Sequence, residues 1–148
     1  MKNPNTIAAL SQTLAEEYIL MLKTQNFHWN VEGPLFYSLH MLFEQQYTFL
    51  ATQVDIVAER IRALGERAPG SYHEFLKISK VEEAIADKVN ANKMIEVLTH
   101  DHENIVKRLD GFRAQADEAG DNTTVTIYDE LISFHQKAAW MVRSHKGA

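Results

Sequence analysis

Residues 39–65 read LHMLFEQQYTFLATQVDIVAERIRALG, and this stretch decides the fold class of the 148-residue chain. Apolar residues recur along it every three or four positions, which predicts one long amphipathic helix. Gly65 is expected just past the end of this helix, because a left-handed glycine ends many helices. The apolar residues of the predicted core face are Leu39, Phe43, Leu50, Val54, Val57, Ile61 and Leu64.

Clusters of glycine and proline divide the whole chain into four long segments. The breaks fall at Gly33-Pro34, at residues 65–70 and at Gly120, and such residues typically interrupt helices. Each segment shows helical apolar spacing, whereas strand signals are weak. Asp121 or Asn122 is expected to cap the start of the last helix. The pattern predicts an all-α four-helix bundle, built as a single domain over residues 1–148.

The link between the second and third long helices is itself long, from about Glu66 to Asn90. It must cross the length of the bundle if these two helices are parallel. Residues 71–77 predict a short helix within this crossover, whereas residues 81–88 are ambiguous between helix and extended chain.

Composition excludes several classes of function. The chain has no cysteine, so thiolate metal sites, thiol catalysis and disulfides are excluded. It shows neither a signal-peptide pattern nor an apolar run long enough to span a bilayer, which favours the cytoplasm and no membrane partner. The formal net charge of −5, from 15 basic and 20 acidic residues, argues against a dedicated nucleic-acid surface.

Four polar residues share a face of the second helix that points away from the predicted core: His40, Glu44, Asp55 and Glu59. Imidazole and carboxylate groups together suit iron or zinc. His40 and Asp55 lie about 22 Å apart along a straight helix, whereas metal–ligand bonds are only about 2 Å long. One chain therefore does not close both ends of this set around a single ion. Two antiparallel copies of the helix do, which predicts a metal site shared across a two-fold interface.

His28 extends this set from the first helix. In an antiparallel hairpin around Gly33-Pro34, its ring reaches the same height as that of His40. A plain solvated face is the alternative interpretation of these residues. A diiron site inside the bundle is not expected, because no histidine here has glutamate three residues before it, as the Glu-x-x-His motif requires.

The remaining histidines are assigned no ligand role. Residues 100–103, His-Asp-His-Glu, are interpreted as a solvated polar cluster on the third long helix. Three isolated histidines are interpreted as ordinary surface or packing residues, namely His73, His135 and His145.

Two stretches resemble the signature of the Dps mini-ferritins: residues 26–36 (NFHWNVEGPLF) and residues 55–65 (DIVAERIRALG), with His40 between them. The resemblance extends over nearly the whole chain, including the crossover. It implies a ferritin-like four-helix bundle with a short helix in the long crossover. It also implies a homo-oligomer of twelve subunits that encloses a hollow space, with ferroxidase centres at its two-fold interfaces.

The resemblance also assigns roles to the polar set. His28 and His40 of one subunit form the centre with Asp55 and Glu59 of its mate. The family usually has an acid, commonly aspartate, at the position of Glu44, which assigns Glu44 to the metal centre, either as a direct ligand or through a water molecule. Acids near the start of the fourth long helix are expected around an iron entrance, with Glu118, Asp121, Asp129 and Glu130 as candidates.

The function implied by the resemblance is that of an iron-oxidising and iron-storing mini-ferritin. Fe(II) is the substrate, hydrogen peroxide is preferred over dioxygen as the oxidant, and a ferric mineral is the stored product. Zinc is a competing occupant of the site. The expected benefit is protection from oxidative stress, since iron is sequestered before it generates hydroxyl radical.

Two other functions stay open. One is a nucleoid protein that compacts DNA, as family members with Lys/Arg-rich tails do. Here only Lys2 precedes the first helix, and Arg143 and Lys146 are the basic residues near the end, so we expect weak or no DNA binding at neutral pH. The other is a shell whose site holds zinc structurally, without turnover.

Overall fold

The computed structural model describes residues 3–147 and shows helices but no strand among them. The helices are α1 (Pro4–Asn30), α2 (Phe36–Ala63), α3 (Tyr72–Ile78), α4 (Ala91–Glu118) and α5 (Asn122–Arg143). The long helices pack as two hairpins, α1 with α2 and α4 with α5, and α3 packs on α1 within the crossover. The predicted four-helix bundle with a short crossover helix is confirmed.

The rest of the crossover is irregular, since residues 81–88 form neither helix nor strand. Within the described range, none of the helices is both long and apolar enough to cross a lipid bilayer.

The helix ends follow local chemistry that the sequence shows. Asp121 caps α5, because its side chain accepts a hydrogen bond from the backbone N–H of Thr124. Gly65 follows the last residues of α2 with φ of 101°, a left-handed conformation that glycine adopts without strain. Both predicted boundaries are confirmed.

The predicted apolar face of α2 lies in the core. Five of its side chains are fully buried, namely Leu39, Phe43, Leu50, Val57 and Ile61. They pack with apolar residues of the other long helices in one continuous cluster. Burial of this apolar surface is the main driving force for folding. It also fixes the rotation of α2, so that the opposite face of the helix points out of the bundle.

Among the described residues, three ion pairs of a lysine or arginine with an acid join the two hairpins. Their N–O distances are 2.8 Å for Arg108 with Glu16, 2.7 Å for Lys23 with Asp101 and 2.7 Å for Arg60 with Asp121. Burial raises the pKa of the Asp101 carboxyl, and the ammonium group of Lys23 opposes that rise. These pairs are partly buried, and such pairs are screened less by salt than exposed pairs. Because each pair joins a residue of one hairpin to a residue of the other, together they help to hold the hairpins in register.

Helix α1 also anchors the crossover through the same side chains. Nζ of Lys23 donates to the carbonyl oxygen of Glu82 at 2.9 Å, and a carboxylate oxygen of Glu16 accepts from the backbone N–H of Lys80 at 2.9 Å. A stretch without regular structure is thereby fixed to the bundle at two backbone positions.

The interpretation of residues 100–103 as a solvated cluster is wrong for two of its members. Asp101 points toward Lys23 of α1, and His102 is fully buried. His135, interpreted as isolated, is also fully buried and bonds to His102. The partners that bury these polar groups come from other helices, so the spacing within one helix does not reveal them.

Replacement of a core leucine tests the packing. We expect Leu98→Ala, at a fully buried position of α4, to lower the free energy of unfolding by about 3 kcal/mol, because the truncation leaves a cavity. Leu76→Ala, at a position 46 % exposed on α3, should cost less than about 1 kcal/mol. Urea unfolding at equal protein concentration measures both, and equal costs would contradict the packing described here.

Candidate metal centre

His28 of α1 and His40 of α2 hold each other by a reciprocal pair of hydrogen bonds. Nδ1 of His28 lies 2.7 Å from the carbonyl oxygen of His40, and Nδ1 of His40 lies 2.7 Å from the carbonyl oxygen of His28. The rings stack with their centroids 3.8 Å apart and their planes 11° apart. The hairpin thus brings both rings to the same height, as the sequence predicts.

The reciprocal bonds fix the tautomer of both rings. A carbonyl oxygen only accepts hydrogen bonds, so each Nδ1 must carry the proton. Each neutral ring then keeps an unprotonated Nε2, the form that a metal ligand needs. Proteins commonly orient a metal-binding imidazole by such an outer hydrogen bond to a backbone carbonyl. The hairpin therefore offers two Nε2 lone pairs on stacked, nearly parallel rings.

Aromatic side chains and one carboxylate surround the two rings. Tyr47 meets the ring of His28 edge-on, and Phe36 stacks on the ring of His40. His28 is buried, with only 6 % of its surface exposed. Oε1 of Glu44 lies 3.8 Å from Nε2 of His28, so the carboxylate is close enough to the ring to be a candidate ligand beside it.

Asp55 and Glu59 are exposed further along α2. The side chain of neither forms a hydrogen bond or an ion pair with another residue in the range 3–147. In that same range, no group of three or more histidines, cysteines or acids is arranged to hold a metal ion. The structure brings His28, His40 and Glu44 together. Asp55 and Glu59 lie apart from them. A single copy therefore presents two separate parts of a candidate centre.

The other histidines that the sequence singles out lie elsewhere. His73 and His100 are exposed, and His145 accepts or donates a hydrogen bond at 2.7 Å with Ser38 near the start of α2. Sequence reasoning missed the buried pair of His102 and His135. The spacing of residues along one helix does not reveal this contact, because it joins α4 to α5.

Most of the acids expected at an iron entrance are engaged inside the chain. Asp121 pairs with Arg60, Asp129 with Arg113, and Glu130 accepts a hydrogen bond from Gln53. Glu118 is exposed at the end of α4. The assignment of these acids to an iron entrance stays a prediction. Of the four candidates, the other three are held by a partner residue, and Glu118 is the least restrained.

Known proteins resemble this chain over nearly its full length. The ferritin family, described as a ferritin-like domain, matches residues 7–147. The chain is 36 % identical over 146 residues to DNA protection during starvation protein 2 of Bacillus anthracis, and the match covers 96 % of this chain and 97 % of that protein.

Solved structures show the same similarity in three dimensions. Dps from Staphylococcus aureus superimposes with a TM-score of 0.92 at 35 % identity, over 97 % of this chain and 95 % of that one. A Dps protein from Vibrio cholerae, described as a member of a broad superfamily of ferritin-like diiron-carboxylate proteins, gives a TM-score of 0.89 at 28 % identity, over 95 % and 87 % of the two chains. The helical bundle, the crossover helix and these full-length matches agree. The chain belongs to the Dps family of mini-ferritins, within the ferritin-like proteins.

Proposed function

We propose that this protein is a ferroxidase whose centre is shared between two copies of the chain. His28, His40 and Glu44 of one copy bind Fe(II) together with Asp55 and Glu59 of the other. The observation that carries the proposal is the reciprocal bonding of the two histidines, which leaves both Nε2 atoms free for a metal. Imidazole nitrogen and carboxylate oxygen form a ligand set that iron accepts.

An antiparallel two-fold arrangement of two α2 helices would bring the two parts of the centre together. A two-fold axis repeats the same surface on both copies, so the His40 end of one helix meets the Asp55 end of the other. At the middle of this face lie Thr48, Ala51 and Thr52, which are exposed in the single chain and short enough for a second helix to approach. Each such pair of copies then contains two identical centres.

Large apolar side chains around the candidate centre favour the same interface. Those exposed on the single chain are Trp29, Phe36, Tyr37, Met41 and Ile56. Exposed apolar residues concentrated in one region typically mark an interaction site. Burial against a second copy would remove this surface from water and hold the two parts of the centre together.

The chemistry follows from the ligand types. Neutral imidazoles of His28 and His40 bind Fe(II) as the substrate, and the anionic oxygens of Asp55 and Glu59 stabilise the Fe(III) that forms. Two Fe(II) ions each give one electron to one hydrogen peroxide molecule, whose O–O bond breaks to yield two hydroxide ions. Iron is thereby oxidised without release of hydroxyl radical.

The wider proposal concerns storage. Twelve copies form a hollow shell, the ferric product accumulates inside it as a mineral, and hydrogen peroxide is preferred over dioxygen as the oxidant. Zinc competes for the centre, because nitrogen and oxygen ligands suit it as well. The protein then acts in the cytoplasm as a protectant against oxidative stress.

Direct DNA binding is the second candidate function, favoured by the name of the Bacillus anthracis relative. The charges of this chain argue against it. The net charge is −5, and Arg143 pairs with Glu103 at 3.2 Å, which lowers its availability for phosphate. DNA protection by this protein is therefore proposed to come from the removal of Fe(II).

Loss of the two Nε2 ligands tests the centre. We expect the double variant His28→Asn, His40→Asn to assemble but to oxidise Fe(II) at least about tenfold more slowly, because even outer-shell partners of metal ligands contribute about 10–100-fold. The asparagine amide keeps a donor near the position of Nδ1 and lacks Nε2. Stopped-flow oxidation with peroxide measures the rate. His73→Asn, at an exposed position, is the matched control, and a double variant as fast as this control would exclude the assignment.

Sharing across two copies predicts complementation. One inactive variant lacks the two histidines, and the other carries Asp55→Asn and Glu59→Gln. When both are unfolded together and reassembled, each mixed pair contains one intact and one empty centre, so activity should return to about a quarter of the parental value for random pairing. Mixed pairs verified by native mass spectrometry that remain inactive would favour a centre within one chain.

The next prediction concerns DNA binding at neutral pH and physiological salt. Favourable counterion release needs several clustered Lys or Arg contacts, so we expect no stable complex with duplex DNA near neutral pH at physiological salt. Gel shifts measure this. Protection of DNA in a peroxide and Fe(II) assay should disappear in the His28→Asn, His40→Asn variant. Tight binding at neutral pH, with protection unchanged in that variant, would instead support a DNA-coating function.

A further inference from the structure

Three ionisable side chains, none of them part of the candidate metal centre, form a hydrogen-bonded chain inside the bundle. The carboxylate of Glu17 on α1 bonds to Nε2 of His135 on α5, with one of its oxygens at 2.8 Å. Nδ1 of His135 lies 2.8 Å from Nδ1 of His102 on α4. All three residues are at most 1 % exposed. We call them the core proton chain.

Hydrogen bonding limits how many protons the core proton chain holds. One proton lies between Glu17 and Nε2 of His135, and one lies between the two Nδ1 atoms, because each bond needs a donor and an acceptor. The remaining ring nitrogen is Nε2 of His102, which is buried without a hydrogen-bond partner among the described residues. With Glu17 as a carboxylate, the core proton chain therefore holds two or three protons while both bonds are intact.

Burial favours the state with three protons. With three protons, the negative charge of the Glu17 carboxylate is balanced within the core proton chain. With two protons, a net negative charge remains in the core. An uncompensated charge in the interior of a protein is strongly unfavourable. His102 is then a neutral ring with its proton on Nε2, and its Nδ1 accepts the hydrogen bond from His135.

The surroundings add little charge to this part of the bundle. Helix α2 faces the core with the uncharged amides of Gln46 and Gln53. Helix α5 adds Tyr128, whose hydroxyl contacts Thr13 at 3.2 Å and whose pKa is raised well above its ordinary value by burial. The other charged groups between α1 and α4 already form ion pairs with each other, namely Glu16 with Arg108 and Lys23 with Asp101.

We propose that the core proton chain is an acid-sensitive lock that joins α1, α4 and α5. On the two rings, a fourth proton enters only at Nδ1 of His102, where it meets the proton already donated by His135. The bond between the two rings then breaks, and a second positive charge stands beside the first in the core. Acid therefore weakens the contact that ties α4 to α5 and, through Glu17, to α1.

The sign of the pH dependence follows from burial. The pKa of His102 is held well below its ordinary value, first by burial and second by the neighbouring His135. The unfolded chain takes up this proton near the reference value of about 6.5, whereas the folded chain takes it up only at lower pH. The stability contributed here is fully present above about pH 6.5 and is lost as the pH falls toward the folded-state pKa.

The test compares the parental protein with His102→Asn. The asparagine Oδ1 takes the place of Nδ1 as an acceptor for His135 but does not titrate. We divide the unfolding equilibrium constant of the parent by that of the variant. We expect this ratio to rise as the pH falls below about 6.5, with a slope that approaches about tenfold per pH unit. Urea unfolding of the assembled proteins at one concentration, followed by circular dichroism, measures this ratio.

His100→Asn is the matched control, since His100 is exposed two positions away on the same helix. It should follow the parental pH dependence. A His102→Asn variant that also follows the parental curve would overturn the proposal. Nitrogen NMR of the parental side chains gives a second measurement that does not depend on the variant folding. A neutral His102 with its proton on Nε2 at neutral pH supports the lock, and a proton on Nδ1 or a charged ring there overturns it.

Discussion

The reciprocal hydrogen bonds between His28 and His40 set the register of α1 against α2 beside the turn that connects them. Each ring uses its Nδ1 proton to satisfy the backbone carbonyl of the other residue. The same two bonds that align the helices also fix both tautomers, so the structural role of the imidazoles prepares them for the ligand role that we propose. A change of register by one residue would break both bonds and separate the two Nε2 atoms.

Helix α1 connects this hairpin to the rest of the molecule. Its polar residues Glu16, Glu17 and Lys23 are buried and reach α4, α5 and the crossover. Removal of one partner from a buried polar contact leaves the other unsatisfied, which costs more than the contact itself contributes. The bundle is therefore specified by polar contacts between hairpins as well as by its apolar core, and these contacts make its stability depend on pH.

Much of the fold and part of the site can be predicted from the sequence. The apolar spacing of α2, Gly65 after its end and Asp121 at the start of α5 are local signals, and the structure confirms each of them. The matched height of His28 and His40 also follows from the position of the turn. The metal-binding roles of all five site residues stay predictions, because only a second copy of the chain would complete the centre; they are His28, His40, Glu44, Asp55 and Glu59.

The sequence by itself determined the four long helices, the face of α2 that is buried and the set of polar residues left outside, because these depend on periodicity along one helix. Only the tertiary structure decided which polar groups are buried together. His102 and His135 gave no signal, since Glu17 lies more than a hundred residues from His135 along the chain. Contacts between distant helices depend on how the hairpins dock, and no local spacing encodes that geometry.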